Sequence, residues 1–174
     1  MTLAASDRTP AVPVRPATEA DLERINEIYN HYIRTSPATF DLEPKSIDER
    51  REWFEHYADI GRHRVLVAAD DSGVMGFASS SRHRPKAAYD TSVETSIYLV
   101  PEATGRGVGS LLYEALFAAL AGEDLHRAYA GITMPNPASI ALHERFGFRL
   151  AGTYTEQGYK FDRYWDVTWW EKPL

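Results

Sequence analysis

Ser96-Ile97-Tyr98-Leu99-Val100-Pro101, then Gly105-Arg106-Gly107-Val108-Gly109-Ser110, then Leu111-Leu112-Tyr113-Glu114-Ala115-Leu116 read as a strand, a glycine loop and a helix. Alternating Val93, Thr95, Ile97 and Leu99 mark a half-buried strand, and Leu111, Leu112, Ala115, Leu116 and Ala119 recur at helical spacing. Glycines at alternate positions let the backbone take positive φ and turn several N–H groups toward one point. The helix beyond the loop adds the free N–H groups of its first turn, so a phosphate-bearing ligand suits the loop.

Two phosphate-binding motifs fail on this stretch. A nucleotide P-loop requires Lys after its last glycine, and Ser110 stands after Gly109. A dinucleotide fingerprint requires a third glycine at position 110 and opens a βαβ unit near the start of a domain, whereas this loop lies mid-chain.

The whole chain sets wider bounds. Its 174 residues suit one domain with a sizeable core, since domains cluster at about 100–150 residues. With 44% hydrophobic and 25% charged residues it has the composition of an ordinary soluble domain. The absence of cysteine excludes disulfides, thiolate metal sites and cysteine nucleophiles, and is compatible with the cytoplasm. No apolar run approaches the ~18–20 residues that span a bilayer, and residues 1–13 lack a signal-peptide core, so no membrane partner is expected. A net charge of -6 opposes nucleic-acid binding, and Arg62-His63-Arg64 and Arg82-His83-Arg84 are too short to make a basic patch.

Residues 1–13 have neither helical nor strand period and are expected to form a flexible tail, with a single domain over 14–174. Thr18 and Asp21 resemble a capping box ahead of a helix carrying Leu22, Ile25, Ile28, Tyr29, Tyr32 and Ile33. Pro37 and Pro44 make the next dozen residues a loop, and a second helix is predicted from about Ile47 to Ile60. Val65–Ala69 and Val74–Ala78 around Asp71-Ser72-Gly73 predict a hairpin. A strand over Ala128–Thr133, a helix over Ala138–Phe146 stopped by Gly147, and strands over 148–154 and 163–171 complete an α+β pattern. His31, His56, His63, His83 and His126 show no ligand spacing and read as surface or helix residues, with no metal expected. Trp165, Trp169 and Trp170 read as core or, in part, as a contact between copies.

Thr104-x-x-Gly107-x-Gly109 resembles the pyrophosphate loop [QR]-x-x-G-x-[GA] of the GNAT superfamily of N-acetyltransferases, with Thr104 in the Gln/Arg place. Asn136-Pro137-Ala138-Ser139-Ile140-Ala141-Leu142-His143-Glu144-Arg145-Phe146-Gly147-Phe148 resembles the superfamily's later motif N-x-x-[SA]-x-x-[LM]-[YH]-x-x-x-G-[FY]. Asn30-His31-Tyr32-Ile33, Ala88-Tyr89-Asp90, Val93-Glu94-Thr95-Ser96 and Gly158-Tyr159-Lys160 are similar to the phosphinothricin acetyltransferase-like branch, a likeness covering about Val14 to Glu171.

The resemblance implies a mixed, mostly antiparallel central sheet with helices on both faces, and acetyl-CoA as co-substrate. It implies a small-molecule amine acceptor such as phosphinothricin or methionine sulfoximine, direct transfer, and a homodimer. Other acceptors (a polyamine, an aminoglycoside, a protein N-terminus) and an acyl-CoA-binding module without turnover stay open. An α-amine, with pKa about 7.7–8.0, arrives mostly protonated at neutral pH and needs a base. Glu94, mid-strand on the face opposite Val93 and Thr95, is the expected base, against the plainer reading of a solvated strand glutamate. His143 stands where relatives carry a Tyr thought to protonate the departing thiolate. Its other readings are a base shared with Glu94, or a hydrogen-bonded histidine on a helix packed against the sheet. Asn136 is expected to bind the pantetheine arm or cap the helix. The backbone of Ile97, Tyr98 and Leu99 is expected along that arm like an added strand, with Gly105, Arg106, Gly107, Val108, Gly109 and Ser110 around the pyrophosphate. Phe40, Lys86 and Tyr89 correspond to positions around the acceptor. Lys86 stands where the branch often has Arg, and Phe161 where it often has His.

Overall fold

A computed structural model describes residues 12–174. Most of the expected tail, residues 1–11, lies outside the described residues. Pro13 is already tied to the domain, its carbonyl accepting the Ala69 N–H at 3.1 Å.

The strands are β1 (Val14–Pro16), β2 (Arg64–Asp70), β3 (Gly73–Arg82), β4 (Ser92–Leu99), β5 (Arg127–Thr133), β6 (Arg149–Lys160) and β7 (Arg163–Pro173). The helices are α1 (Leu22–Thr35), α2 (Ile47–Phe54), α3 (Val108–Leu120) and α4 (Pro137–Arg145). The strands form one sheet in the order β1-β2-β3-β4-β5-β7-β6, antiparallel throughout except for β4 with β5. This is the α+β sheet the sequence predicts, with helices on both faces.

Alternation divides the core between those faces. On one side Leu66, Ala68, Ala78 and Val93 pack against Leu112, Tyr113 and Leu116 of α3. On the other, Val65, Val67 and Phe77 pack against Leu22, Ile25 and Ile28 of α1. Strands buried on both faces have apolar runs rather than strict alternation, which is why Val65–Ala69 is uniformly hydrophobic. Each fully buried Leu, Ile or Val contributes about 1.5–3 kcal/mol, so both layers are needed.

The α1 start is built as the sequence suggests. Asp21 accepts the Thr18 N–H (2.8 Å) and also holds Arg15 through two bonds of 2.7 and 2.8 Å. α2 stops six residues short of the predicted Ile60. Tyr57 turns back onto the Phe54 carbonyl and Ala58 bonds His63, so the chain leaves the helix axis to enter β2. β6 is longer than predicted, running to Lys160 through an irregularity between Tyr154 and Gly158. Its hairpin turn is Phe161-Asp162, with φ of 53° and 57°, the left-handed pair that matches strand twist. Among the described residues no helix is long and apolar enough to cross a membrane, and no His/Asp/Glu cluster could hold a metal.

Candidate active site

β4 and β5 pair over three rungs only, Ser92 with Arg127, Val93 with Ala128 and Glu94 with Tyr129, and then part. Backbone polar groups of a strand alternate between its two edges. Thr91 turns its carbonyl toward β5, where it accepts the His126 N–H at 2.8 Å, and Val100 turns its N–H to Met75 of β3. By that alternation Thr95, Ile97 and Leu99 face the open side of the fork. The Leu99 carbonyl is taken by the Tyr32 hydroxyl (2.8 Å), which leaves Ile97 free to bond an extended ligand as a neighbouring strand would.

At the mouth of the fork the glycines do two different jobs. Gly105 and Gly107 adopt φ of 75° and 82°, conformations that L side chains resist. Gly109 has ordinary φ, but a Cβ there would stand 3.3 Å from Leu142 and 3.6 Å from Ile97, so its value is close packing of α3 on α4 and β4. The first helical bond of α3 runs from Leu111 N–H to Gly107 O (3.1 Å), and no side chain caps this helix. The N–H groups of Val108, Gly109 and Ser110 therefore stay available to an anion.

Behind the loop lies a cavity of about 720 Å³. Its walls include Ile97, Tyr98, Leu99, Gly105, Gly107, Gly109, Ser110, Asn136, His143, Glu94 and Phe40, all expected from the sequence. Four expected residues do not contribute side chains to it. Val108 turns into the core, Arg106 is exposed on the loop, and Lys86 and Tyr89 lie exposed in the segment before β4.

Asn136 Oδ1 accepts the Ser139 N–H at 3.1 Å and so caps α4, while its side chain still lines the cavity. The helix-cap reading of this residue is thus met in the structure. His143 is buried, and both ring nitrogens are engaged. Nδ1 lies 2.7 Å from the Ser139 carbonyl and Nε2 lies 2.9 Å from the Tyr113 hydroxyl. A carbonyl can only accept, so Nδ1 carries the proton and Nε2 accepts from Tyr113. Burial lowers the His143 pKa and raises that of Tyr113, so both are neutral at pH 7.

Glu94 is the only carboxylate lining the cavity among the described residues. Burial pushes its pKa above the ordinary value, with Arg84 pulling weakly the other way. The surrounding wall is aromatic, with Tyr32, Phe40, Tyr98 and Trp169. Lys160, buried, donates to the carbonyls of Ser36 (2.9 Å) and Thr39 (2.7 Å), fixing the loop that carries Phe40. Gly158 lies beneath the Phe40 ring, where any Cβ would collide with it.

The sequence reading missed Tyr32, Tyr113, Gln157, Val167 and Trp169. Trp169 and Val167 sit two apart on β7, a spacing that puts them on one face, but which face depends on pairing with β5. Of the three tryptophans of β7, Trp170 is core, Trp169 borders the cavity and Trp165 donates to Lys160 O at 2.8 Å. His83, read from the sequence as a surface or helix residue, lies in neither setting but is largely covered and stacked on Tyr129 with ring centroids 4.4 Å apart.

A forked sheet, an uncapped helix behind a left-handed glycine turn, and one half-buried carboxylate at the fork define an acyl-CoA-dependent transferase site. The chain belongs to the acetyltransferase (GNAT) domain family, whose model matches residues 14–169. It is 56% identical over 168 residues to a phosphinothricin N-acetyltransferase of Streptomyces coelicolor, covering 95% of this chain and 98% of that one. It is 36% identical over 162 residues to an L-methionine sulfoximine/L-methionine sulfone acetyltransferase of Pseudomonas aeruginosa, covering 92% and 94%. Its fold matches the crystal structure of a phosphinothricin acetyltransferase from Sinorhizobium meliloti in complex with acetyl-CoA, at TM-score 0.86 and 35% identity over 94% of this chain and 89% of that one. The enzyme is an acetyl-CoA-dependent N-acetyltransferase of the phosphinothricin acetyltransferase-like branch. The glycine turn, the open α3 amides and the unpaired Ile97 backbone fit that co-substrate.

Proposed function

We propose that this enzyme acetylates the α-amine of a small amino-acid-like molecule, such as phosphinothricin or methionine sulfoximine, with Glu94 as general base. The observation that carries the reading is the single cavity-lining carboxylate among the described residues, half-buried at the point where β4 and β5 part. Acetyl-CoA supplies the acetyl group as a thioester. Glu94 accepts a proton from the acceptor ammonium, directly or through one water, and its raised pKa brings it closer to the amine's and so suits it to this role. The free amine nitrogen attacks the thioester carbonyl, the C–S bond breaks, and the nitrogen's second proton goes to the departing thiolate, so that coenzyme A leaves as the thiol. Direct transfer accords with a chain that has no cysteine to carry the acetyl group.

His143 is assigned to holding the Tyr113 phenol at the cavity wall, since its Nε2 faces that hydroxyl rather than open space. Phe40 and Trp169 flank the acceptor. Arg84 and Lys86 are both exposed and outside the cavity lining, but the Arg84 guanidinium stands 5.8 Å from the ring of the wall residue Trp169 and can meet an acceptor carboxylate bidentately. Homodimerisation in the cytoplasm is part of the same reading. Exposed Tyr154, Tyr159 and Tyr164 on β6 and β7 offer the surface for it, and light scattering measures the mass.

The test is thiol release from acetyl-CoA across phosphinothricin, methionine sulfoximine, ordinary amino acids, polyamines and an N-terminal peptide. Saturable turnover with the first two supports the reading. Turnover with a polyamine or peptide alone moves the acceptor class, and binding without turnover contradicts the enzyme.

A further inference from the structure

The histidine that precedes Arg84 lies against the base. His83 Nδ1 is fully buried, has no hydrogen-bond partner, and stands 3.6 Å from Glu94 Oε2. Its ring is fixed on several sides. Tyr129 of β5 stacks on it at 4.4 Å with planes 19° apart, Trp169 of β7 meets it edge-on at 6.4 Å, and Tyr89 does so at 6.3 Å. Tyr129 is also the residue paired with Glu94 on the last rung of the fork, so ring and carboxylate share one support.

We propose that His83 is a positioning residue for Glu94, donating its Nδ1–H to the carboxylate and holding the second carboxylate oxygen toward the acceptor amine. The inference rests on the reading of Glu94 as base. A bare Nδ1 would set its lone pair against carboxylate lone pairs with no other donor in reach, whereas a protonated Nδ1 finds its acceptor there. Shortening by about half an ångström brings the pair to hydrogen-bond distance, and rotation about the Glu94 side-chain torsions supplies it. Besides Glu94 on β4, the titratable and charged groups around the ring are Tyr129 on β5 and Tyr89 and Arg84 in the segment before β4. Burial, then Arg84, lowers the His83 pKa, so the ring is a neutral donor at pH 7. A donor to the charged form lowers a carboxyl pKa, so losing it raises that of Glu94 and moves the acidic limb of kcat/KM to higher pH.

Two substitutions separate the N–H from the ring. His83→Phe keeps the stack on Tyr129 and removes the donor, whereas His83→Asn places an amide N–H near the former Nδ1. Losing one bond to a charged group, His83→Phe is expected to lower kcat/KM about tenfold to a hundredfold and shift the acidic limb upward. His83→Asn should return the limb to its wild-type position, and acetyl-CoA affinity should not change in either variant. In a Glu94→Gln background His83→Phe should cost nothing further. Nitrogen-15 NMR of the wild-type protein should show the Nδ1–H tautomer for His83, a readout independent of any variant's folding. A wild-type profile in His83→Phe, equal losses in both variants without a limb shift, or an Nε2–H tautomer would each overturn the proposal. If Glu94→Gln keeps full activity the base reading itself fails, whereas loss in Glu94→Gln beside a silent His83→Phe defeats only the positioning role.

Discussion

The Tyr113 hydroxyl on α3 lies 2.9 Å from Nε2 of His143 on α4, so two buried polar side chains satisfy each other across a helix interface. Thr95 Oγ1 of β4 lies 3.3 Å from the same phenol oxygen, which ties both helices to the wall of the fork. Tyr113→Phe leaves a buried Nε2 without its donor and is expected to destabilise the fold by about 1–3 kcal/mol. His143→Phe together with Tyr113→Phe should cost less than the sum of the singles, because both remove one bond. Urea unfolding of the four-member cycle measures the coupling.

The same pair predicts an acid-side loss of stability. The folded pKa of His143 is lowered, chiefly by burial. Its contribution is therefore complete above the unfolded value of about 6.5 and is lost as pH falls through the lower folded value. His143→Phe should flatten the stability profile in that window, as followed by thermal unfolding.

Gly158→Ala tests how the acceptor wall is built. The added Cβ meets the Phe40 ring, which must move, while the glycine loop lies on other elements. The expected outcome is a raised KM for the amine, with the Kd for acetyl-CoA unchanged by calorimetry. Equal changes in both would show that Phe40 does not belong to the acceptor side alone.

Gly107→Val tests the cofactor turn. A side chain at φ 82° costs about 1–2 kcal/mol of backbone strain, roughly tenfold in an equilibrium constant or more. Acetyl-CoA binding should weaken by at least that factor. Gly109→Ala should act differently, through pressure on Leu142, and lower thermal stability as well.

Asp21→Asn addresses the α1 start. The Arg15 bonds, then the Thr18 N–H, hold the Asp21 carboxyl below its usual pKa despite burial. Its stabilisation is present above the unfolded value of about 3.9 and is lost as pH falls through the folded value. The variant should lose about 1–2 kcal/mol at neutral pH and show a weaker acid dependence below pH 4.

Features with a local cause were legible in the sequence. The alternation of β4, the glycines ahead of α3 and Asn136-Pro137 ahead of α4 each act within a few residues, and each appears in the fold where expected. β1 was not legible, since three residues ending in Pro16 become a strand only by pairing with β2. Thr155–Lys160 is polar and interrupted by Gly158, and its strand character comes from β7 across the hairpin. The site divides the same way. Glu94, Asn136 and the loop were readable from strand period and motif, but Trp169 required the register of β7 on β5, and burial of His83 required Tyr129, 46 positions along the chain. Lys86 was drawn in by motif position alone, and its side chain lies outside the cavity.

The central claim is that Glu94 takes the proton from the acceptor amine. Its most direct test is kcat/KM for phosphinothricin against pH in wild type and Glu94→Gln. The wild type should rise through an acidic limb above the ordinary carboxylate pKa, and Glu94→Gln should lose that limb and fall about 10²–10⁴-fold at neutral pH. Wild-type kcat/KM with an unchanged limb in Glu94→Gln would contradict the account.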